Sequence, residues 1–315
     1  MNDHTSVDVV TGAFSYSGRA IAKELIEAGR RVRTLTGHPD RAPSGTSIDV
    51  RPLSFDDPDA LAESLRGAQT LYNTYWVRFA HGYVDHAAAV ANSRTLFEAA
   101  AAAGVQRIVH VSITHPSVDS PYPYFRGKAQ VERLLADVGV SHAIVRPAIL
   151  FGGAGVLVNN VAWLLRHVPV FAIGGRGDYR VRGIHVDDLA RLCVELGGRT
   201  DTIVVDAVGP ESLTFRQLVD AVRSAVGSHA VVAPVPGFAL TRLSGVLGLV
   251  LRDTLLTPDE YHAMAEGLAD SDAPTTGTVA FTDWVSEHGH ELGRRYANEI
   301  DLHFQRRSGA LRDGS

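Results

Sequence analysis

The chain has 315 residues, a net charge of −5 at pH 7 and a single cysteine, Cys193. This length suits about two domains with a sizeable core. The acidic balance argues against nucleic-acid binding, and one cysteine excludes a disulfide framework or a cysteine-built zinc site. The N-terminal segment lacks the basic and apolar parts of a secretory signal, so we expect a cytoplasmic protein.

Residues 7–38 predict a strand, a turn, a helix and a second strand. The turn contains Gly12, Ser15 and Gly18. Gly12 can adopt backbone angles closed to other residues, and Gly18 lets the helix begin close to the strand, so the first helical amides face a site suited to phosphate. The middle glycine of a dinucleotide-binding turn is replaced by Ser15, or by Tyr16 in the alternative spacing. A tight turn in another α/β protein is the competing interpretation.

Strands and helices alternate through the rest of the first half. The strands are predicted at 47–53, 71–75, 107–113 and 142–150, and the helices at 61–67, 86–104 and 124–139. This alternation predicts an α/β fold with a doubly wound parallel sheet, which carries helices on both faces.

The composition changes after Phe151, where glycine-rich and proline-rich loops separate the elements. These elements are predicted at 156–167, 181–185, 186–197, 202–207, 213–226, 255–267 and 284–304. We predict a nucleotide-binding domain in 1–155, to which 180–207 return, and a smaller C-terminal substrate-binding lobe formed by 156–179 and 208–315.

The most apolar later stretch is residues 243–251. It is far shorter than the ~18–20 residues that a membrane-spanning helix needs, so no span is predicted. We expect a buried or interfacial helix, and its weak polar face argues against surface membrane contact.

A second pattern, YFRGK, runs from Tyr124 to Lys128 at the start of a predicted helix. Residues four apart share a helix face, so the phenol and the ammonium can reach one pocket, where the lysine charge lowers the tyrosine pKa. Ser112 and Thr114 lie at the C-terminal end of the strand predicted at 107–113, where ligands of open parallel sheets bind. An apolar tyrosine beside a solvated lysine is the alternative, and the position after a strand near the nucleotide turn favours acid–base chemistry.

Two other groups of residues are functional candidates. The loop after the strand at 71–75 offers substrate contacts or simple loop packing through Tyr75, Trp76, Arg78, Phe79 and His81. His185, Asp187 and Asp188 are close in sequence, but Asp187 stands where the next helix needs an N-cap. The 14 histidines show no HExxH or comparable spacing, so no metal is predicted.

These motifs resemble those of the short-chain dehydrogenase/reductase superfamily, in the extended and atypical branches that include sugar-nucleotide epimerases. TGAFSYSG is similar to the TGxxGxxG turn and YFRGK to the YxxxK pair. VRPAILFG resembles the strand that bends under the nicotinamide, and IHVDDLA the helix start after the first substrate-domain excursion. The resemblance covers most of the chain and implies a Rossmann fold that binds NAD(P).

The resemblance also implies roles for individual residues. Tyr124 would be the acid–base group, Lys128 would hold the nicotinamide ribose, and Ser112, or alternatively Thr114, would orient the substrate oxygen. The cofactor-binding set that it implies is Gly12, Phe14, Ser15, Tyr16, Gly18, Thr36, His38, Asp56, Lys128, Pro147 and Ala148.

The end of the second strand bears on the choice of cofactor. Thr36, Gly37 and His38 stand where an acidic residue would bind the adenosine ribose. A 2′-phosphate is compatible with this end, and it could be met by Arg19, Arg33 or Arg41. NADP is therefore slightly favoured over NAD.

The predicted function is an NAD(P)-dependent oxidoreductase or epimerase that acts on a small molecule. The alternative is a non-catalytic NAD(P)-binding redox sensor or accessory protein. The replacement at Ser15 favours this alternative, and the intact pair of Tyr124 and Lys128 favours the enzyme. The family habit implies a homodimer that pairs through the helices starting near His86 and Tyr124.

Overall fold

The computed structural model describes residues 6–78 and 85–298. Its strands are β1 (Val7–Thr11), β2 (Arg31–Thr36), β3 (Asp49–Pro52), β4 (Ala68–Asn73), β5 (Arg107–Val111), β6 (Ser141–Pro147), β7 (Ile149–Phe151), β8 (Val170–Gly174), β9 (Arg180–Val181), β10 (Gly183–His185), β11 (Ile203–Ala207), β12 (Leu213–Thr214) and β13 (Val231–Val235). Its helices are α1 (Tyr16–Glu27), α2 (Pro58–Leu65), α3 (His86–Ala102), α4 (Pro123–Asp137), α5 (Val156–His167), α6 (Val186–Gly197), α7 (Phe215–Ala225), α8 (Gly237–Leu251), α9 (Pro258–Ala265) and α10 (Phe281–His288).

Seven parallel strands form the central sheet in the order β11-β6-β5-β4-β1-β2-β3. Alternate residues of the strands face opposite sides: Val10 packs with Leu25 of α1 on one side, and Val9 with Leu96 of α3 on the other. Both faces are apolar because helices cover both. The predicted doubly wound parallel fold is confirmed. The strand order reverses between β1 and β4, which places a ligand crevice at their carboxyl ends.

Two predicted strands are each divided in the structure. The strand predicted at 142–150 breaks at Ala148 into β6 and β7, and β7 pairs with β10 outside the central sheet. The strand predicted at 181–185 breaks at Arg182, whose backbone N–H donates to Ala269 O. The Arg182 guanidinium also donates to the carbonyls of Gly209 and Ser271. These contacts between distant segments override the local strand pattern.

The prediction that Asp187 caps α6 is wrong. His185 is the N-cap residue, and its Nδ1 accepts a hydrogen bond from Asp187 N at 3.3 Å. His185 also ends β10, so the helix follows the strand without a loop and Asp187 lies inside the first turn. Asp188 is buried and accepts from the N–H groups of Thr278 and Val279 at 2.9 Å each.

The chain divides into two compact units. The first comprises the described residues up to 153 together with 182–212 and 268–281, and it contains the central sheet. The second comprises 154–181, 213–267 and the described residues from 282 onward. Residues 268–281, which the sequence assigned to the substrate lobe, join the first unit through bonds such as Thr276 N to Val208 O.

The segment 243–251 lies in α8 of the second unit. Leu243, Val246 and Leu249 are exposed, so of the two alternatives, a buried or an interfacial helix, the buried one is not met. Among the described residues, no helix has both the length and the apolar character needed to cross a bilayer.

Candidate functional site

The turn between β1 and α1 has the two glycine constraints that the sequence indicated. Gly12 has φ of +66°, and a Cβ on Gly18 would lie 2.3 Å from Gly12 O. No side-chain hydrogen bond caps α1, and its first turn holds no acidic residue. The first amides of a helix have no intrahelical acceptor and carry partial positive charge, so this end of α1 fits a phosphate group.

The middle position of the turn does not require glycine. Ser15 has φ of −85°, an ordinary value for any residue, and its hydroxyl donates to Gly12 O at 2.6 Å. The hydroxyl is therefore directed at the strand end and not at the α1 amides.

Tyr16 connects this turn to the loop after β7. Its hydroxyl donates to Gly152 O at 2.8 Å. Burial, followed by the charge of Asp187, raises the pKa of Tyr16 well above its ordinary value. The Tyr16 hydroxyl is therefore a neutral donor that holds the turn in place.

A buried polar network ties together the ends of β1, β4 and β5. Thr11 Oγ1 donates to Asn73 Oδ1 at 3.2 Å and accepts from Thr74 N at 2.7 Å. Asn73 Oδ1 also accepts from Tyr75 N, and Asn73 Nδ2 lies 3.0 Å from His110 Nδ1. Asn73 and His110 are fully buried. Neither was predicted as a functional residue, although a polar residue within an apolar strand is a signal for one.

The network assigns the protonation of His110. Because Asn73 Oδ1 accepts two hydrogen bonds, the Asn73 amide group donates to His110 Nδ1, and the proton of the neutral imidazole lies on Nε2. Burial, followed by the charge of Lys128, holds the pKa of His110 well below its ordinary value. His110 is therefore a neutral group.

Lys128 lies on the same side of the sheet as this network. It is 3% exposed, and its Nζ donates to Val111 O at 2.8 Å. Burial lowers the pKa of Lys128 to about 7, partly opposed by Glu132. Because Val111 directly precedes Ser112, the amine lies next to the residue that was predicted to orient a substrate.

Trp76 brings the predicted catalytic residues together. The Lys128 Nζ lies 4.8 Å from the centre of the indole ring, and the Tyr124 ring packs edge-on against it at 5.8 Å. The His86 ring stacks on the indole at 5.8 Å. A Cβ on Gly127 would lie 2.8 Å from Trp76 Cη2, so the glycine within YFRGK allows the indole to lie against α4. The role of Gly127 was not predicted.

Ser112 and Thr114 differ in the use of their hydroxyls. Thr114 Oγ1 donates to Leu268 O at 2.8 Å. Ser112 Oγ is buried and has no hydrogen-bond partner among the described residues, and the same holds for Trp76 Nε1. A buried unpaired polar group costs about 1–3 kcal/mol, so both atoms fit a site completed by the polar atoms of a ligand. The Ser112 hydroxyl and the Trp76 N–H are donors that suit a substrate oxygen and a ribose.

The residues predicted to contact the adenosine half lie at the surface. Thr36 Oγ1 accepts from His38 N at 3.2 Å at the end of β2, where His38 is exposed. Asp56 is exposed in the turn before α2, and its neighbour Asp57 caps that helix. A cofactor role for Thr36, His38 and Asp56 stays a prediction.

Of the three arginines considered for a 2′-phosphate, Arg33 is already engaged. Its guanidinium donates to the Asp49 carboxylate at 2.7 Å and to the carbonyls of Ser64 and Arg66 at 3.0 Å. Arg19 is exposed in the first turns of α1. The Arg41 side chain lies outside the described residues.

The remaining predicted residues lie at the carboxyl ends of the strands. Phe14 is half-buried in the turn, Pro147 is buried at the end of β6, and Ala148 is half-buried at the break before β7. Of the predicted loop candidates, Phe79 and His81 lie outside the described residues. Within 6–78 and 85–298, no group of three or more histidine, cysteine, aspartate or glutamate residues is arranged to hold a metal ion.

Replacing Lys128 with methionine is expected to change how stability depends on pH. The folded-state pKa of Lys128, about 7, lies below its ordinary value of 10.5, so between these values the unfolded chain binds more protons. Below about pH 7 the buried amine is charged in the folded protein, and the resulting loss in unfolding free energy is fully present. This loss becomes smaller as the pH rises. The unfolding free energy of the cofactor-free wild type should therefore rise by about 1 kcal/mol per pH unit relative to Lys128→Met from about pH 7 to about pH 9.

Urea unfolding at several pH values measures this difference. Lys23→Met is the matched control, because Lys23 is exposed on α1 and should leave the profile of the wild type unchanged. Parallel profiles for wild type and Lys128→Met would contradict the buried position of the amine.

A family model described as NAD(P)H-binding matches residues 12–196, more than half of the chain. The chain belongs to this NAD(P)H-binding family. The matched region begins at Gly12 and includes Ser112, Tyr124 and Lys128. The predicted membership of an NAD(P)-binding family is confirmed, and a nicotinamide cofactor is supported.

One curated relative is a much longer protein. An uncharacterized protein of Mycobacterium tuberculosis is 30% identical over 217 residues, which cover 67% of this chain and 23% of that protein. The chain thus spans less than a quarter of the length of that curated relative.

Two solved structures are similar in fold. Triphenylmethane reductase of Citrobacter, complexed with NADP(H), has a TM-score of 0.74 at 16% identity and covers 90% of this chain and 99% of its own. The NADPH-dependent quinone oxidoreductase of Escherichia coli, complexed with NADPH, has a TM-score of 0.72 at 21% identity, covering 89% and 99%. At these identities the likeness shows the fold alone.

Proposed function

We propose that the protein is an NADP(H)-dependent oxidoreductase in which Tyr124 exchanges a proton with a substrate carbonyl or hydroxyl. One observation carries the proposal. The Lys128 amine and the Tyr124 ring both contact the Trp76 indole, and the amine donates to the carbonyl of Val111, the residue before Ser112, whose buried hydroxyl has no hydrogen-bond partner among the described residues. These groups lie at the edge of a parallel sheet where an NAD(P)H-binding protein holds its cofactor.

Each residue has a separate task in this proposal. The bound nicotinamide supplies or accepts hydride. The Ser112 hydroxyl donates to the substrate oxygen and orients the carbonyl carbon, and Tyr124 donates its phenolic proton to that oxygen as the alcohol forms. Lys128 donates to the ribose hydroxyls, and in its protonated form it stabilises the phenolate that Tyr124 leaves. In the reverse direction the phenolate accepts the proton from the alcohol.

NADP is proposed over NAD because of the charges at the adenosine end. The end of β2 carries Thr36, Gly37 and His38 and no carboxylate that would repel a 2′-phosphate. With Arg33 engaged by Asp49, the exposed Arg19 is the described guanidinium we assign to that phosphate.

Calorimetric titration of the purified protein with NADPH and NADH tests the cofactor half of the proposal. We expect NADPH to bind more tightly, and Lys128→Ala to weaken its binding by about 10- to 100-fold, the usual effect of removing a charged hydrogen-bond donor. Lys23→Ala, an exposed lysine on α1, is the matched control and should bind as the wild type does. Equal affinity of wild type and Lys128→Ala would remove Lys128 from the ribose site.

A second candidate is an NAD(P)-binding protein without hydride transfer. The contacts of Lys128 favour this candidate. The Trp76 indole covers the Lys128 amine, and the amine already donates a hydrogen bond to Val111 O. Oxidation of bound NADPH, followed by its absorbance with a panel of quinones, ketones and aldehydes, separates the two. Tight NADPH binding with no turnover of any compound would favour the second candidate.

A further inference from the structure

Helix α8 exposes one apolar face to solvent. Phe238, Leu243, Val246 and Leu249 are 66%, 53%, 61% and 82% exposed. With 3.6 residues per turn, these positions fall within about 140° of the helix circumference. A contiguous exposed face of large apolar side chains marks an interaction site, whereas scattered ones are ordinary.

The opposite side of α8 is covered by protein. The helix packs against α9 and β8 of the same unit. The sequence of this helix has few polar residues on the side away from the apolar face, which argued against membrane contact. The packing of that side against protein explains why they are few. The described residues on the side opposite the apolar face are half-buried or buried, and the exposed positions of α8 lie on the apolar face.

The charge on the exposed face is of one sign. Residues 237–252 contain no aspartate or glutamate. Arg242 lies within the face, with its guanidinium 5.9 Å from the Phe238 ring, and Arg252 ends the helix. Among the acidic groups that follow, two are turned to other partners: Asp253 is buried against the Tyr296 hydroxyl, and Glu260 closes a capping box with Thr257.

These features select one kind of partner. A second copy of the same face would bring the Arg242 side chains of both copies near each other, and the helix has no carboxylate to compensate them. An anionic lipid surface supplies both of the needed chemistries, since acyl chains accept the apolar side chains and headgroup phosphates pair with arginine. The 15 residues of α8 are too few to span a bilayer, so the helix would lie in the interface.

We propose that α8 docks the protein on an anionic lipid surface, with Phe238, Val246 and Leu249 among the acyl chains and Arg242 at the headgroup phosphates. This proposal is independent of the proposed oxidoreductase activity, because it rests only on the exposed face of α8.

Co-sedimentation of the full chain with vesicles tests it. The probes are vesicles of phosphatidylcholine with phosphatidylglycerol, and vesicles of phosphatidylcholine alone. We expect sedimentation with the anionic vesicles that falls with added salt. Val246→Glu should lower the partition coefficient by about tenfold or more, because a charge replaces a buried apolar contact.

Val231 provides a matched control. The residue is 60% exposed, nearly the same exposed fraction as that of Val246. It lies on β13, in the same unit as α8 but not on that helix. Val231→Glu should sediment as the wild type does. Arg242→Gln should reduce binding to anionic vesicles, and retained far-ultraviolet circular dichroism and an unchanged midpoint of urea unfolding would show that the variants fold.

Three results would overturn the proposal. The first is a wild-type protein that stays in the supernatant with anionic vesicles, and the second is equal sedimentation with both kinds of vesicle. The third is a concentration-dependent dimer that Val246→Glu abolishes without any vesicle binding, which would assign the face to a second copy of the chain.

Discussion

Replacing Tyr124 with phenylalanine is expected to lower kcat for reduction of a carbonyl substrate by about 10²- to 10⁴-fold, the range that a positioned acid–base group contributes. The aromatic ring remains, so its edge contacts with Trp76 and His86 should persist. Only the phenolic hydroxyl, with its proton, is lost. Steady-state oxidation of NADPH with the compound that the wild type reduces fastest measures the effect, and calorimetry should show NADPH affinity within about twofold of the wild type.

The neighbouring Tyr122 is the natural control. It lies one residue before α4 and packs against Phe125 at 6.2 Å. Tyr122→Phe removes a phenolic hydroxyl from the same region and should keep kcat near that of the wild type. A Tyr124→Phe enzyme with undiminished kcat would assign the proton transfer to another group. If Tyr122→Phe loses as much activity as Tyr124→Phe, the loss comes from the fold of this segment and not from acid–base chemistry.

The parts of the site that local sequence could predict are those whose constraint is local. Gly12 and Gly18 were predicted because a left-handed turn and a close strand–helix approach each exclude a side chain, and the structure shows both features. Tyr124 and Lys128 were predicted to share a pocket because they lie four apart on one helix, and both side chains contact Trp76.

The contacts between distant segments were beyond local prediction. The bond between Asn73 and His110 joins two strands, and the indole of Trp76 reaches Lys128 across more than fifty positions. Periodicity reports which face a residue occupies but not which distant side chain meets it there. The wrong prediction of a cap at Asp187 has a related cause, since His185 both ends β10 and caps α6, and a junction without a loop leaves no turn signal.

The glycine turn gives the second large expected effect. In Gly18→Ala the new Cβ would lie 2.3 Å from the carbonyl oxygen of Gly12 and 3.0 Å from that of Thr11. Both contacts are with backbone, which cannot rotate away as a side chain can. We therefore expect the α1 N-terminus to move away from β1, with a loss of about 1–3 kcal/mol in unfolding free energy, as for other overpacked positions.

The same displacement should weaken NADPH binding by about tenfold or more, because the first amides of α1 would no longer point at the pyrophosphate. Urea unfolding and calorimetric titration measure the two effects on one preparation. Gly245→Ala is the control, since a Cβ there meets nothing within 4 Å; helix propensity predicts a gain of about 1 kcal/mol and unchanged NADPH affinity. A Gly18→Ala protein with the stability and NADPH affinity of the wild type would show that the cofactor is not held by this turn, and the role assigned to the α1 N-terminus would fall with it.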